Sequence, residues 1–268
     1  MSDNSHNRAI MDSGRLGAAR RRKIVELVEG RGSLAVGDLS KEFGVSEATI
    51  RRDLRELGKT GAITRTHGGV LNNASAFVDL PNHERIMIRS EEKRRIGRAA
   101  IELLGGEEIV FLDAGTTALA VAENAHLKPN CRYVTTCLTI ASRLRDQGIS
   151  NFYMIGGAYI GVNDSFGGRL AISSIRTLSF DIAFLCCSSI DLTHGSISIG
   201  DDGYSQLQAE VVASSRRNFV VAHHEKIDAG GFIRTASFDS IDCLVTDSGI
   251  NEDSRQRLES ADIAVVQA

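Results

Sequence analysis

Residues Val45 to Val70 read VSEATIRRDLRELGKTGAITRTHGGV, and the organisation of the chain can be worked outward from them. Ser46 is placed to cap a helix, because its hydroxyl can accept from a free backbone N–H of the first turn. Val45 before the cap and Ile50 at the fourth helical position fit a hydrophobic staple. Ile50, Leu54 and Leu57 form a buried stripe, and Thr49, Arg51, Arg52, Arg55 and Glu56 lie off it. Upstream, Arg20–Glu29 (RRRKIVELVE) is an amphipathic helix with Ile24, Leu27 and Val28 at helical spacing. Gly30 to Ser33 breaks it. Val36–Phe43 is a second short helix that buries Val36, Leu39 and Phe43, and Gly44 suits the left-handed stop. Downstream, Ala62 to His67 alternates like a strand, and Gly68-Gly69 ends it.

A helix, a tight turn and a second helix let the second helix enter the major groove N-terminus first. Thr49 and Arg52 lie opposite the buried stripe and are the candidate readers of base edges, arginine being the commonest bidentate partner of guanine. Ser46, Arg51 and Arg55 are candidate phosphate clamps, which set register without reading sequence. Arg65 and His67 belong to a small β-wing, near the backbone or minor groove. Alternatively, Arg51, Arg52 and Arg55 form an ordinary solvated face paired with Asp53 and Glu56. The cap, the staple, the two-helix pattern and the Gly-rich wing occurring together favour a DNA reader.

These segments, RRRKIVELVE and then LSKEFGVSEATIRRDLRELGKTGAITRTHGGV, closely resemble the N-terminal domain of the DeoR family of bacterial transcriptional regulators. The resemblance continues more loosely to the C-terminus. It implies a winged helix-turn-helix followed by a sensor domain similar in fold to sugar-phosphate isomerases.

Composition agrees with a globular chain of 268 residues, 42% hydrophobic and 24% charged. No run approaches the roughly 18 apolar residues of a membrane span. Residues 1–17 read as a disordered leader, since the first fifteen (MSDNSHNRAIMDSGR) hold no apolar core for a signal peptide. A cytoplasmic protein is expected. Five cysteines (Cys131, Cys137, Cys186, Cys187, Cys243) show no metal-ligand spacing and read as buried thiols. His194, His223, His224 and Glu225 show no close-spaced ligand pair, so neither a metal nor a cofactor is assigned. The net charge of −3 hides an asymmetry. Residues 1–70 hold 13 Lys+Arg against 9 Asp+Glu, giving +4, and residues 71–268 hold 18 against 25, giving −7. A basic reader is joined to an acidic body.

The domain reading is 18–72 for the winged helix-turn-helix, 73–82 for a linker and 83–268 for an α/β effector-binding domain. Residues 83–104 are expected to be one charged helix. Apolar strands follow at Glu108–Asp113, Arg132–Thr136, Phe152–Ile155, Asp181–Cys187, Phe219–Ala222, Cys243–Thr246 and Ile263–Val266. Helices fall at Thr116–Asn124, Ile140–Gln147, Gln206–Arg216 and Glu252–Glu259. Such alternation means a Rossmann-like α/β domain with a mostly parallel sheet.

In such sheets ligands bind beyond the carboxyl ends of the strands. The FLDAGTT run at 111–117 offers Gly115 for close backbone approach, with Thr116 and Thr117 beside free N–H groups, an arrangement suited to a phosphate or simply to a Thr cap. The same logic applies to Thr136 in TTC and to Gly156-Gly157 in IGG. Asp113 and Asp191 could take sugar hydroxyls, and Lys226 could pair with a phosphate. By resemblance, Asp113, Gly115, Thr116, Thr117, Asp191 and Lys226 match the family's ligand pocket. Three departures stand out. Cys137 replaces a hydroxyl, His223 stands where an acidic residue is usual, and Gln208 falls where the family often has a lysine.

The expectation is a DNA-binding regulator, a repressor of carbohydrate metabolism, with double-stranded operator DNA and a phosphorylated sugar as partners and no membrane. Paired reading heads imply a homo-dimer or homo-tetramer. No catalytic residue is assigned. The rival reading is a sugar-phosphate isomerase-like enzyme carrying a DNA-binding appendage.

Overall fold

A computed structural model describes residues 17, 20–28, 33–59, 63–65, 69–72, 82–200 and 202–268. The chain divides into two compact units, Met1–Val78 and Asp79–Ala268.

In the first unit, helix α1 (residues 20–28) is followed by strand β1 (Ser33–Ala35), helix α2 (Val36–Phe43) and helix α3 (Glu47–Lys59). Strands β2 (Ile63–Arg65) and β3 (Gly69–Asn72) complete it. The helices form because their apolar residues fall on one side. Ile24, Val28, Val36, Leu39, Ile50, Leu54, Leu57 and Val70 make one buried cluster, with Phe43 and Val45 partly buried against it. Gly44 ends α2 at φ 59°, where a side chain would be strained. Ser46 caps α3, its Oγ accepting from Thr49 N at 3.2 Å. The three strands form an antiparallel sheet in the order β1-β3-β2. Strand β1 has no counterpart in the sequence reading, which placed only a break before α2. Gly69, taken there as the end of a strand, begins β3.

The second unit opens with helix α4 (Asn82–Met87) and helix α5 (Ser90–Glu102). The sequence suggested one helix here. The chain breaks instead at Arg89, which has φ 53°. A left-handed arginine costs about 1–2 kcal/mol. Its guanidinium is held by Glu225 and Glu92 at the surface. Asn82, assigned to the linker by sequence, is the first residue of α4, and its N–H donates to Val162 O at 3.1 Å.

Strand β4 (Ile109–Leu112), helix α6 (Thr116–Ala122), strand β5 (Arg132–Thr135), helix α7 (Leu138–Asp146) and strand β6 (Phe152–Met154) then alternate. A hairpin of β7 (Ala158–Ile160) and β8 (Ser165–Gly167) leads to helix α8 (Gly168–Ile175) and strand β9 (Phe180–Leu185). Strands β10 (Ser189–Asp191) and β11 (Ser196–Ile199) precede helix α9 (Asp202–Ala213) and strand β12 (Ser215–Val221). Strand β13 (Ile233–Ser237), strand β14 (Cys243–Thr246), helix α10 (Glu252–Glu259) and strand β15 (Ala264–Gln267) end the chain.

Seven strands form one sheet in the order β15-β14-β12-β9-β4-β5-β6, every pairing parallel. These are the seven runs read as strands from sequence. The chain steps outward from β4 to β5 and β6, and in the opposite direction from β9 to β15. The reversal lies between the adjacent strands β4 and β9, the switch point where such sheets open a crevice at their carboxyl ends. The core is dominated by β-branched and aromatic side chains, with Phe111 against Phe180 (centroids 5.2 Å apart) and Phe184 edge-on to Phe219 (5.9 Å). A small sheet, β10-β11-β13, lies outside the main one.

Helix α5 packs on α6 with backbone against backbone. A Cβ built on Gly97 would sit 2.3 Å from Ala120 O. Gly97→Ala should therefore destabilise the second unit by about 1–3 kcal/mol in urea unfolding. The exposed neighbour Arg98→Ala, which loses only its pair with Glu102, should change it by less than about 0.5 kcal/mol.

Candidate functional site

Helix α3 presents two different faces. Ile50, Leu54 and Leu57 are buried, whereas Arg51, Arg52 and Arg55 are exposed and Thr49 is half-buried. Asp53 does not neutralise the arginine face. It is 3% exposed and turns toward α1, accepting from Arg20 Nε at 2.6 Å and Arg21 Nη1 at 3.2 Å. Arg51 pairs with Glu47 at 3.0 Å. The Ser46 hydroxyl is occupied by its cap and by Thr49 Oγ1 at 3.0 Å. Arg65 lies in β2, but its side chain and the whole of His67 fall outside the described residues.

In the second unit, the ends of β4 and β9 meet helix α9 around Asp113. This carboxylate is 1% exposed. Its Oδ1 accepts from Tyr204 Oη at 2.6 Å and Ala114 N at 2.9 Å. Its Oδ2 accepts from Gln208 Nε2 at 2.7 Å and Cys186 N at 2.8 Å. Burial pushes the Asp113 carboxyl above its ordinary range, against the pull of these four donors. The network extends on both sides. Thr136 Oγ1 lies 3.1 Å from Tyr204 Oη, and Thr235 donates to Gln208 Oε1 at 2.5 Å. Because the phenol proton goes to Asp113, Thr136 is the donor to Tyr204. Gln208, which stands where the family resemblance leads one to expect a lysine, is thus a donor to Asp113 and to Cys186 O.

The other residues expected at the site are distributed. Gly115 precedes α6 and is pressed against Cys186, whose Sγ would lie 2.5 Å from an added Cβ. Thr116 and Thr117 open α6, and Thr117 is buried. Gly156 and Gly157 lie between β6 and β7, and Gly157 has no room for a Cβ beside Gly167 O. Asp191 is drawn into its own turn. It accepts from the backbone of Thr193 and His194 and from His194 Nδ1 at 2.7 Å. Lys226 ends the 3-10 turn that follows β12. A pocket at the strand ends is lined by Asp113, Cys186, Cys187, Tyr204, Gln208 and Arg85 of α4, among others. Of the expected residues only Asp113 lines it. Sequence reading missed Tyr204 and Arg85. Tyr204 follows Asp113 by 91 positions, and no local pattern joins them.

Beyond this pocket, burial and the positive charges of Lys226 and Lys93 lower His223 to about 4. Glu225 and Asp247 pull the other way, and they are engaged by Arg89 and His224 respectively. The native state therefore resists protonation at His223, and the unfolded chain takes up that proton first, near pH 6.5. Stability should fall as pH drops from about 6.5 toward 4, and His223→Gln should flatten that slope in denaturation curves taken across the interval.

Among the described residues no helix is long and apolar enough to cross a membrane. Residues 20–76 match the DeoR-like helix-turn-helix domain, and residues 88–248 match the DeoR C terminal sensor domain. The chain is 35% identical to the transcriptional repressor AccR of Agrobacterium fabrum over 86% of its length and 89% of that protein. It is 33% identical to the HTH-type transcriptional regulator GlpR of Haloferax volcanii over 94% and 98%. It is 31% identical to the glycerol-3-phosphate regulon repressor of Escherichia coli K12 over 85% and 90%. Among solved structures, ribose 5-phosphate isomerase A of Methanocaldococcus jannaschii matches 52% of this chain and 55% of that one at a TM-score of 0.40 and 13% identity, too remote to bear on function. With both domains matched in order and these relatives spanned almost end to end, the chain belongs to the DeoR family of transcriptional regulators.

Proposed function

We propose that this protein is a repressor that binds a two-fold operator as a homo-oligomer in the cytoplasm and is controlled by a phosphorylated sugar or related metabolite. The observation that carries the DNA-binding half is the arginine face of α3. Its opposite face is packed, its start is capped, and the one aspartate within the helix is turned away to Arg20 and Arg21. In this reading Thr49 and Arg52 touch base edges. Ser46, Arg51, Arg55, Arg65 and His67 set the position on the backbone or minor groove.

The effector half rests on the crevice at the β4–β9 switch point and on the name of one relative, the glycerol-3-phosphate regulon repressor. Asp113, Gly115, Thr116, Thr117, Thr136, Gly156, Gly157, Asp191 and Lys226 remain the residues proposed around the ligand. Asp113 acts there mainly by fixing the loop, since its oxygens already accept four hydrogen bonds. The protein carries out no reaction on the ligand in this reading. Binding shifts the balance between arrangements of different operator affinity.

Selection of binding sites from random duplex DNA tests the first half. The wild type should enrich two related half-sites. Arg52→Ala should relax one base position and lose roughly 5- to 150-fold in specific affinity. Arg55→Ala should weaken all sequences alike and lower the salt slope by about one. Enrichment of no sequence, or unaltered specificity in Arg52→Ala, would contradict this assignment of the helix. For the second half, a phosphorylated sugar that raises the melting temperature should also change operator affinity measured at fixed salt. A ligand that does one without the other would not be the effector.

A further inference from the structure

Helix α3 runs for 13 residues, and its buried stripe fixes which side chains face outward. At about 100° per residue, Ala48 and Arg52 point about 150° and 165° away from the mean direction of Ile50, Leu54 and Leu57. Within the first two turns these two lie most nearly opposite the packed stripe, and both are exposed. Thr49 and Arg51 stand to either side, about 105° and 95° from the stripe. Ala48 and Arg52 are four apart, so they are neighbours along the helix.

The polar groups flanking Ala48 are engaged with one another. On one side the Ser46 hydroxyl lies 3.0 Å from Thr49 Oγ1. On the other, Arg51 Nη2 donates to Glu47 Oε2 at 3.0 Å. Between the two pairs the first turn presents a single methyl group. A helix that enters the major groove N-terminus first brings this turn against the base pairs. With only a methyl at position 48, no long side chain holds the backbone away from them.

The groove offers one partner of matching chemistry. Thymine alone carries an apolar group, its C5-methyl, on the major-groove edge. The purines offer N7 acceptors there and cytosine an N4 donor, and a methyl laid over those groups strips water without replacing its hydrogen bond.

We infer that Ala48 is a specificity-determining residue that packs its methyl on the C5-methyl of one thymine in each operator half-site. This contact rests on the reading of α3 as the helix in the major groove, and it adds a second base to the one assigned to Arg52. Four residues of helix span about 6 Å, and base pairs stack about 3.4 Å apart. The thymine therefore lies within two base pairs of the position that Arg52 reads.

The test uses the full-length protein and the half-site obtained by selection from random duplex DNA. Each thymine is replaced singly by deoxyuridine, which pairs in the same way and lacks only the C5-methyl. Affinity is measured at fixed salt for the wild type and for Ala48→Gly. The wild type should lose about 3- to 5-fold at one thymine per half-site, within two base pairs of the position relaxed by Arg52→Ala. In Ala48→Gly the preference for thymine over deoxyuridine at that position should fall to about one, while other thymines keep theirs. The ratio is taken within each protein, so a general weakening of the helix by glycine cancels. Should Ala48→Gly fail to fold, Ala48→Ser takes its place, and its hydroxyl should lower the same ratio. No thymine that matters to the wild type, or one that matters equally to the variant, would overturn Ala48 as a reader and leave α3 in the groove. Enrichment of no sequence by the wild type would overturn the placement of α3 and this contact with it.

Discussion

The second unit depends on a buried carboxylate whose four hydrogen-bond donors are all neutral. Asp113 closes β4, and its oxygens draw in the backbone of β9's end through Cys186 N and the side chains of α9 through Tyr204 and Gln208. Burying a carboxylate is unfavourable by several kcal/mol unless its lone pairs are satisfied. Four donors at 2.6–2.9 Å satisfy them. The consequence is geometric. With Asp113 fixed, the loop to α6 must pass close to Cys186, and only a residue without a side chain fits at position 115.

The departures from the family pattern make sense as one redistribution of charge. A lysine at position 208 would place a positive charge beside Asp113, whereas the amide there donates without charge. An acid at position 223 would sit near Lys93 and Lys226, whereas the imidazole there is neutral at pH 7. One positive and one negative group are thus absent together, at different places. Lys93 and Lys226 remain the positive charges that act on His223. Cys137 is a lesser change. Its Sγ approaches Asn163 O at 3.8 Å, and burial raises the thiol to about 11, so it packs rather than titrates.

What could be read from sequence follows from which interactions are local. The inner strands β14, β12, β9, β4 and β5 carry mostly apolar residues buried on both faces, and such runs announce themselves, while the edge strands β6 and β15 are more exposed. Strands β10 and β11 read SID and SISI, with three serines in seven residues, and become strands only by pairing with each other and with β13. Helix α8 begins at Gly168, with φ 76°, in a stretch that looks like a turn. At the break between α4 and α5, Arg89 pairs with Glu225, 136 positions away. The reader is the opposite case. Its cap, staple and apolar stripe all lie within a few residues of one another, so α3 was legible. The direction of Asp53 required the structure, because its partners lie 32 and 33 positions upstream, as did strand β1, which pairs with β3.

The same geometry weighs against acid–base chemistry at the strand ends. A general base must offer a lone pair to the substrate proton within hydrogen-bond reach. Asp113 has both oxygens engaged, and a substrate would have to displace Tyr204 or Gln208 to reach them. Asp191 is committed to its own turn and to His194. His223 Nδ1 has no hydrogen-bond partner, but burial and then the positive charges of Lys226 and Lys93 lower it to about 4, which makes it a weak base. Arg85 has donors without partners, yet a guanidinium does not give up a proton. With Asp113 and Asp191 both engaged, the strand ends offer a substrate proton no oxygen of either carboxylate that is not already accepting a hydrogen bond.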